Sequence, residues 1–129
     1  MVQKEVAERF AAKPSTRDYG SISVFLQYNF NIETVCIVNK NCFEPVPKVD
    51  SAVIKLKTTN KYKEIVTNEE KLYKLIKDSF THKRKNLRNN LINYDQNRIQ
   101  EILEKHNKNL TARAESLSIE EFIDISNNI

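Results

Sequence analysis

The feature that most constrains the fold of this chain is a segment with two closely spaced prolines, residues 43–56. Pro45 and Pro47 fix φ and lack N–H donors, so the segment around them cannot form a helix or a central strand. A strand is predicted to follow, because the apolar residues Ala52, Ile54 and Leu56 recur at every second position and would share one face. The stiff loop holds Phe43 at its upstream end. That position suits an aromatic ring either to stack on a flat ligand such as a nucleobase or to fill a core.

The residues before this loop predict two helices and a strand. The opening helix has an apolar stripe of Val2, Val6 and Phe10. The second helix follows Gly20, and its predicted buried face is Ile22, Phe25, Leu26 and Phe30. Residues 35–38 are a β-branched run that predicts a short buried strand. The connection to the strand at residue 52 is too short for a crossover helix, so we expect an antiparallel pair.

The polar residues 58–63 mark the predicted domain boundary, and every element after them is predicted to be a helix. Thr67 and Glu70 form a predicted capping box, as do Ser118 and Glu121, where Leu117 can staple onto Phe122. Asp95 is the predicted cap of a further helix. The predicted inward residues are Leu72, Leu75, Ile76, Phe80, Leu87, Leu91, Ile99, Ile102 and Leu103. The predicted class is α+β: two helices and an antiparallel strand pair over 1–60, then a small all-α domain over 61–129.

Positive charge is concentrated in one segment of a chain whose net charge is +4. Its members are Lys83, Arg84, Lys85 and Arg88. On a helix, Arg84 and Arg88 would be neighbours and would repel each other unless a polyanion neutralised them. The segment therefore predicts either an RNA-binding surface or a solvated helix face.

Other side chains favour an ordinary cytoplasmic protein. Cys36 and Cys42 have no nearby histidine, so we expect reduced thiols and no metal site. His82 and His106 are expected on the surface. No apolar run is long enough for a membrane span, and no signal peptide is expected.

Five strings resemble one known family and occur in its order. They are residues 1–9, residues 18–28 around Tyr19 and Gly20, Phe43–Val53, Lys83–Leu91 and Arg113–Ser118. The chain resembles the ribosomal RNA adenine dimethyltransferases of the small subunit (the KsgA family). The related enzymes that dimethylate large-subunit rRNA and confer macrolide resistance fit these strings less well. A third interpretation is that the chain is a non-enzymatic RNA-binding or ribosome-assembly module.

The resemblance implies the C-terminal part of such an enzyme, beginning within the tail of a Rossmann-like sheet. The family's Gly-rich loop for S-adenosylmethionine and its Asn-Leu-Pro-Tyr motif do not occur here, so we expect no catalytic residue and no cofactor binding in this chain alone. Phe43, Pro45 and Pro47 would line the target-adenine pocket. Lys48, Lys83, Arg84, Lys85 and Arg88 would contact RNA. Asp50 and Ser51 would tie the loop to the strand, and Arg113 would pair with Glu115. The implied partner is small-subunit rRNA or the ribosomal particle, bound in the cytoplasm by a full-length enzyme that is expected to be a monomer.

Overall fold

A three-stranded antiparallel sheet is built from the first half of the chain in a computed structural model that describes residues 1–129. Its strands are β1 (Val2–Gln3), β2 (Phe30–Val38) and β3 (Ser51–Thr58), in the order β1-β3-β2. The predicted antiparallel pairing is confirmed: Ile32 lies opposite Leu56, and the register shifts between Thr34 and Cys36. The coarse α+β class is therefore correct.

The first strand was not predicted, because it has only two residues. Val2 pairs with Ala52 rather than lying on the opening helix, so the predicted stripe is wrong at this residue. The helix α1 (Lys4–Phe10) begins two residues later than Val2, where the Lys4 amide donates to the Asp50 carbonyl over 2.9 Å. The residues that the apolar spacing alone assigned to the start of a helix thus form a strand that pairs with β3.

The strand β2 is longer than predicted and is not buried. Val35 is 58% exposed and Ile37 is 50% exposed. The prediction of a buried strand was wrong because no element of this chain covers that part of the sheet. The result is an apolar strand at the edge of a small sheet.

The helix α2 (Ser21–Asn29) buries a different face from the predicted one. Its buried residues are Ser23, Val24 and Tyr28, whereas Ile22 and Phe25 are 39% and 40% exposed. Polar bonds set this orientation: the Ser23 hydroxyl donates to the Arg9 carbonyl, and the Gln27 amide donates to the carbonyls of Phe10 and Ala12. Hydrophobic spacing does not detect such bonds.

The second half is helical, as predicted. Its α-helices are α3 (Glu69–Ser79), α4 (Leu87–Asn90), α5 (Gln96–Lys105) and α6 (Ile119–Asn128). The predicted inward residues of α3 and α5 are buried, except that Phe80 is partly buried against the core. None of the helices is long and apolar enough to cross a membrane.

Local capping rules located two helix starts and misplaced one. Asp95 accepts the Arg98 amide, and Ser118 and Glu121 form the predicted capping box. The cap of α3, however, is Asn68, whose side chain accepts the Lys71 amide. Thr67 instead bonds the side chain of Asn127 through both its amide and its hydroxyl, so it belongs to the contact between the start of α3 and the end of α6.

A single core cluster of 19 buried residues holds the helices together. It includes Ala12, Tyr19, Val24 and Tyr28 together with residues of the helical half. The Tyr19 hydroxyl donates to the Leu117 carbonyl over 2.7 Å across the same core. No residue of the sheet belongs to the cluster. The domain boundary near residue 60 stays a prediction, since side chains from both sides of it share this core.

Candidate nucleic-acid interface

The basic segment forms a turn rather than the predicted helix. The helix α4 begins only at Leu87, because the Asn86 side chain accepts the Asn89 amide and caps it there. Lys83, Arg84 and Lys85 all precede this cap. The predicted helical face shared by Arg84 and Arg88 is therefore wrong, although all four cations are exposed.

The amide of Asn90 holds this turn in place. Its Nδ2 donates to the carbonyls of Ser79 (2.9 Å) and His82 (3.1 Å), and its Oδ1 accepts the His82 amide (3.3 Å). Leu87 and Leu91 are fully buried beside it, which confirms their predicted anchoring role. The turn is therefore held by the Asn90 hydrogen bonds and by buried leucines, while its charged side chains remain in solvent.

A cleft of about 300 Å³ lies next to the turn and gathers cations from three separate segments. Arg9 comes from α1, Arg17 from the loop before α2, and Lys83 from the basic turn. The Lys83 Nζ lies 3.4 Å from the Arg17 carbonyl. None of these cations forms an ion pair, since the three ion pairs of the chain involve Arg98, His106 and Lys108. Asp18 is the only acidic residue in the lining.

The side chain of Tyr19 lies between this cleft and the core. Burial, and then the charges of Glu120 and Glu121, raise the pKa of Tyr19 well above its ordinary value. Its hydroxyl therefore stays protonated and donates to Leu117 at any ordinary pH. Tyr19 thus ties the cleft to the helical half.

Sequence reasoning identified Lys83 but missed Arg9 and Arg17. Both lie in the first 20 residues, and Arg17 is 66 residues from Lys83 along the chain. Neither stands in a basic run, so local charge density gives no signal for them. Only the packing of α1 on α2, and of α2 on α3 and α6, brings them to the turn.

The proline loop lies elsewhere on the molecule. Phe43 is half-buried and outside the core cluster, Pro45 and Lys48 are exposed, and Pro47 is half-buried. The Asp50 side chain accepts the Lys40 amide over 2.8 Å, which confirms its predicted tie, whereas Ser51 makes no side-chain bond. The Asp50 carbonyl also fixes the loop to the start of α1. No residue of the proline loop lines the cleft, so the loop and the cleft are built from different residues.

Two further side-chain predictions were wrong. Arg113 and Glu115 form no ion pair; the backbone carbonyl of Glu115 instead accepts the Ser15 amide. His106 is not a free surface residue, because its Nε2 lies 2.8 Å from Asp124 Oδ2 in a half-buried pair between α5 and α6. In both cases the bonding partner is distant in sequence, so the spacing of residues along the chain does not identify it.

Structural comparison defines the class of the fold. A crystal structure of a dimethyladenosine transferase from Plasmodium falciparum superposes with a TM-score of 0.74 at 24% identity, covering 95% of this chain and 53% of that chain. The 23S rRNA methyltransferase ErmE superposes with a TM-score of 0.66 at 25% identity, covering 98% and 51%. The fold is that of part of an rRNA methyltransferase.

Sequence comparison defines the family. The family model for ribosomal RNA adenine dimethylase matches residues 1–129, and the chain belongs to this family. It is 43% identical over 129 residues to ribosomal RNA small subunit methyltransferase A of Saccharophagus degradans, and 42% identical over 133 residues to the protein of that name from Bacillus mycoides. These matches cover 100% and 98% of this chain but 47% and 46% of those proteins. The chain thus spans about half the length of these relatives.

Proposed function

We propose that this chain is the C-terminal, RNA-holding part of an S-adenosylmethionine-dependent rRNA adenine N6,N6-dimethyltransferase that acts on small-subunit rRNA. The observation that carries the proposal is the family match over every residue of the chain. Relatives named for the small subunit reach 42–43% identity, whereas the 23S enzyme has 25%, which favours the small subunit over the large. The protein would work in the cytoplasm as a monomer bound to rRNA or to the ribosomal particle.

The exposed sheet supports the assignment to one part of a longer enzyme. Val35, Ile37 and Leu56 leave apolar surface in solvent on strands that α1 and α2 cover only in part. A sheet of three strands with such a face is marginal on its own. The remainder of a Rossmann-like domain would cover this surface, in agreement with the half-length match to the relatives.

The cationic cleft does not suit the sulfonium group of S-adenosylmethionine. The cofactor carries a positively charged sulfonium, whereas the cleft beside the only glycine, Gly20, is lined by Arg9, Arg17 and Lys83. Such a cleft attracts anions and repels cations. We propose that the methyl donor is held by the other part of the enzyme, and no catalytic residue is assigned here.

The cationic surfaces suit RNA phosphate instead. Exposed lysines and arginines displace counterions from a nucleic acid, and this release drives binding in a salt-dependent way. The cleft cations and the turn residues Arg84, Lys85 and Arg88 together offer several phosphate contacts on a rigid support, and Lys48 offers another on the proline loop.

The proline loop is proposed as one wall of the pocket for the target adenine. Phe43 is half-buried and outside the core cluster, which leaves part of its ring free to stack on an extruded base. Pro45 and Pro47 keep the loop stiff, and Asp50 fixes its downstream end. Orientation of the base by stacking is the contribution that this loop would make.

The test is the salt dependence of binding to a small-subunit rRNA transcript. We expect Arg84→Ala with Arg88→Ala to weaken binding and to flatten the plot of log affinity against log salt by roughly one unit per lost phosphate contact. Lys55→Ala with Lys57→Ala is the matched control, since it removes the same charge from exposed positions of β3. Equal effects of the two double variants would contradict the proposed interface.

A further inference from the structure

A polar cavity of about 520 Å³ lies beside the basic turn and shares no lining residue with the cationic cleft. It is formed by the end of α3, the turn at His82, and the residues on and after α4. Its volume is in the range of ordinary small-ligand sites. None of the cations of the cleft lines it, so it is a separate feature of the surface.

One wall of this cavity is fixed by internal hydrogen bonds. The Tyr94 hydroxyl donates to Asp78 Oδ2 over 2.6 Å. Burial, and then this bond, raise the pKa of Tyr94 well above its ordinary value, so the phenol stays protonated. The Asn90 amide is fully used by the backbone of Ser79 and His82. These groups shape the cavity and have little capacity left for a ligand.

Thr81 bonds the Lys77 carbonyl, but four other polar side chains of the lining are free. Asn89, Asn93, Lys74 and the ring of His82 make no hydrogen bond or ion pair within the chain. Asn89 and Asn93 each offer an amide donor and an amide acceptor. Ile92, which is 71% exposed, adds apolar surface at the same place. The cavity thus combines hydrogen-bonding amides, a cation, an apolar contact and the Asp78 carboxylate, which is bonded to Tyr94.

We propose that this cavity takes one unpaired nucleotide of the bound RNA, with Asn89 and Asn93 on the base edge and Lys74 on a neighbouring phosphate. The inference rests on the proposed function and adds to it a binding place for a single unpaired nucleotide of the RNA. Amides match the adjacent donor and acceptor groups of a base edge, and Asn pairs in this way with adenine.

Continuity with the basic turn favours RNA as the occupant. His82 lines the cavity and directly precedes Lys83, and Asn89 directly follows Arg88. A strand whose phosphates lie along the turn would therefore pass the mouth of the cavity. The base must be unpaired, since proteins read RNA sequence on bases splayed out of loops and bulges rather than in the grooves of a duplex.

The experiment compares Asn89→Ala with Asn93→Ala, made together in the full chain, against the unmodified chain. The two probes are a small-subunit rRNA transcript and a perfectly paired RNA duplex, each titrated at several salt concentrations. We expect at least about tenfold weaker binding to the transcript, because base-edge contacts are lost. Binding to the duplex and both salt slopes should stay unchanged, because no phosphate contact is removed.

Asn97→Ala is the matched control. Asn97 is exposed on α5, makes no side-chain hydrogen bond and does not line the cavity, so its removal should leave all binding unchanged. Equal binding of the transcript by the double variant and the unmodified chain would overturn the inference, as would equal losses on both probes. If the unmodified chain fails to bind the transcript at all, the proposed function falls together with the inference.

Discussion

Glu121 is the residue whose environment makes the stability of the helical half depend on pH. One carboxylate oxygen accepts bonds from the Lys108 ammonium and the Ser118 amide, and the other is buried without a partner. Burial by itself raises the pKa of Glu121. The bonds from Lys108 and Ser118 outweigh burial, so the pKa lies below its ordinary 4.5.

A lowered pKa in the folded state means that the ionised form stabilises the fold. This contribution is complete above about pH 4.5, the unfolded value, and is lost as pH falls through the lower folded value. We expect Glu121→Gln to remove that part of the pH dependence. Urea unfolding of both proteins over a series of acidic pH values is the measurement. Parallel curves for the two proteins would show that Glu121 does not act in this way.

At the scale of single elements, the basic turn shows which features follow from local sequence and which do not. The burial of Leu87 and Leu91 and the exposure of the cations followed from spacing and charge. The turn conformation did not, because asparagine side chains replace the backbone bonds of a helix there. Asn86 caps α4, and Asn90 holds the preceding carbonyls. Asparagines compete in this way with regular structure, and their spacing does not reveal the partner.

Asn90→Ala tests this account of the turn. The change removes the Asn90 donor from the Ser79 carbonyl and one of the two donors from the His82 carbonyl, which keeps the Lys85 amide, so we expect a loss of about 1–3 kcal/mol in the free energy of unfolding. The His82 amide, which donates to Asn90, should exchange its hydrogen faster than in the unmodified chain. Asn97→Ala is again the control and should change neither quantity. An unaltered exchange rate at His82 would show that the turn does not depend on Asn90.

The other helices illustrate the same limit. Apolar spacing predicted the buried faces of α3 and α5, where hydrophobic contacts decide the orientation. It failed for α2, where Ser23 and Gln27 bond to the backbone around α1. It also predicted burial for residues 35–38, although burial of a strand depends on elements that must cover it.

At the scale of the whole molecule, the helical core is well buried, whereas the sheet is largely exposed. The cluster of 19 residues joins α2 and the four later helices, whereas β2 and β3 contribute none of its members. Ala52 is the only buried residue of those two strands. The cationic cleft depends on the core, since Tyr19 connects the Arg17 loop to Leu117. Sequence alone could not predict the cleft, because it brings residues near the start of the chain together with Phe80 and Lys83, which are distant in sequence.

Native-state hydrogen exchange should reveal this inequality. We expect the amides of β2 and β3 to exchange through local opening of low free energy, because few apolar contacts would be lost. The amides of α3, α5 and α6 should exchange only through global unfolding. Uniform protection across the sheet and these helices would contradict the expectation and would mean that the sheet is as stable as the core.

The central claim is that residues 1–129 hold RNA and do not hold the methyl donor. Parallel titrations of the same purified chain with a small-subunit rRNA transcript and with S-adenosylmethionine test it most directly. We predict binding to the transcript that weakens steeply as salt rises, and no measurable binding of S-adenosylmethionine. Micromolar affinity for S-adenosylmethionine, or no affinity for the transcript, would contradict the claim.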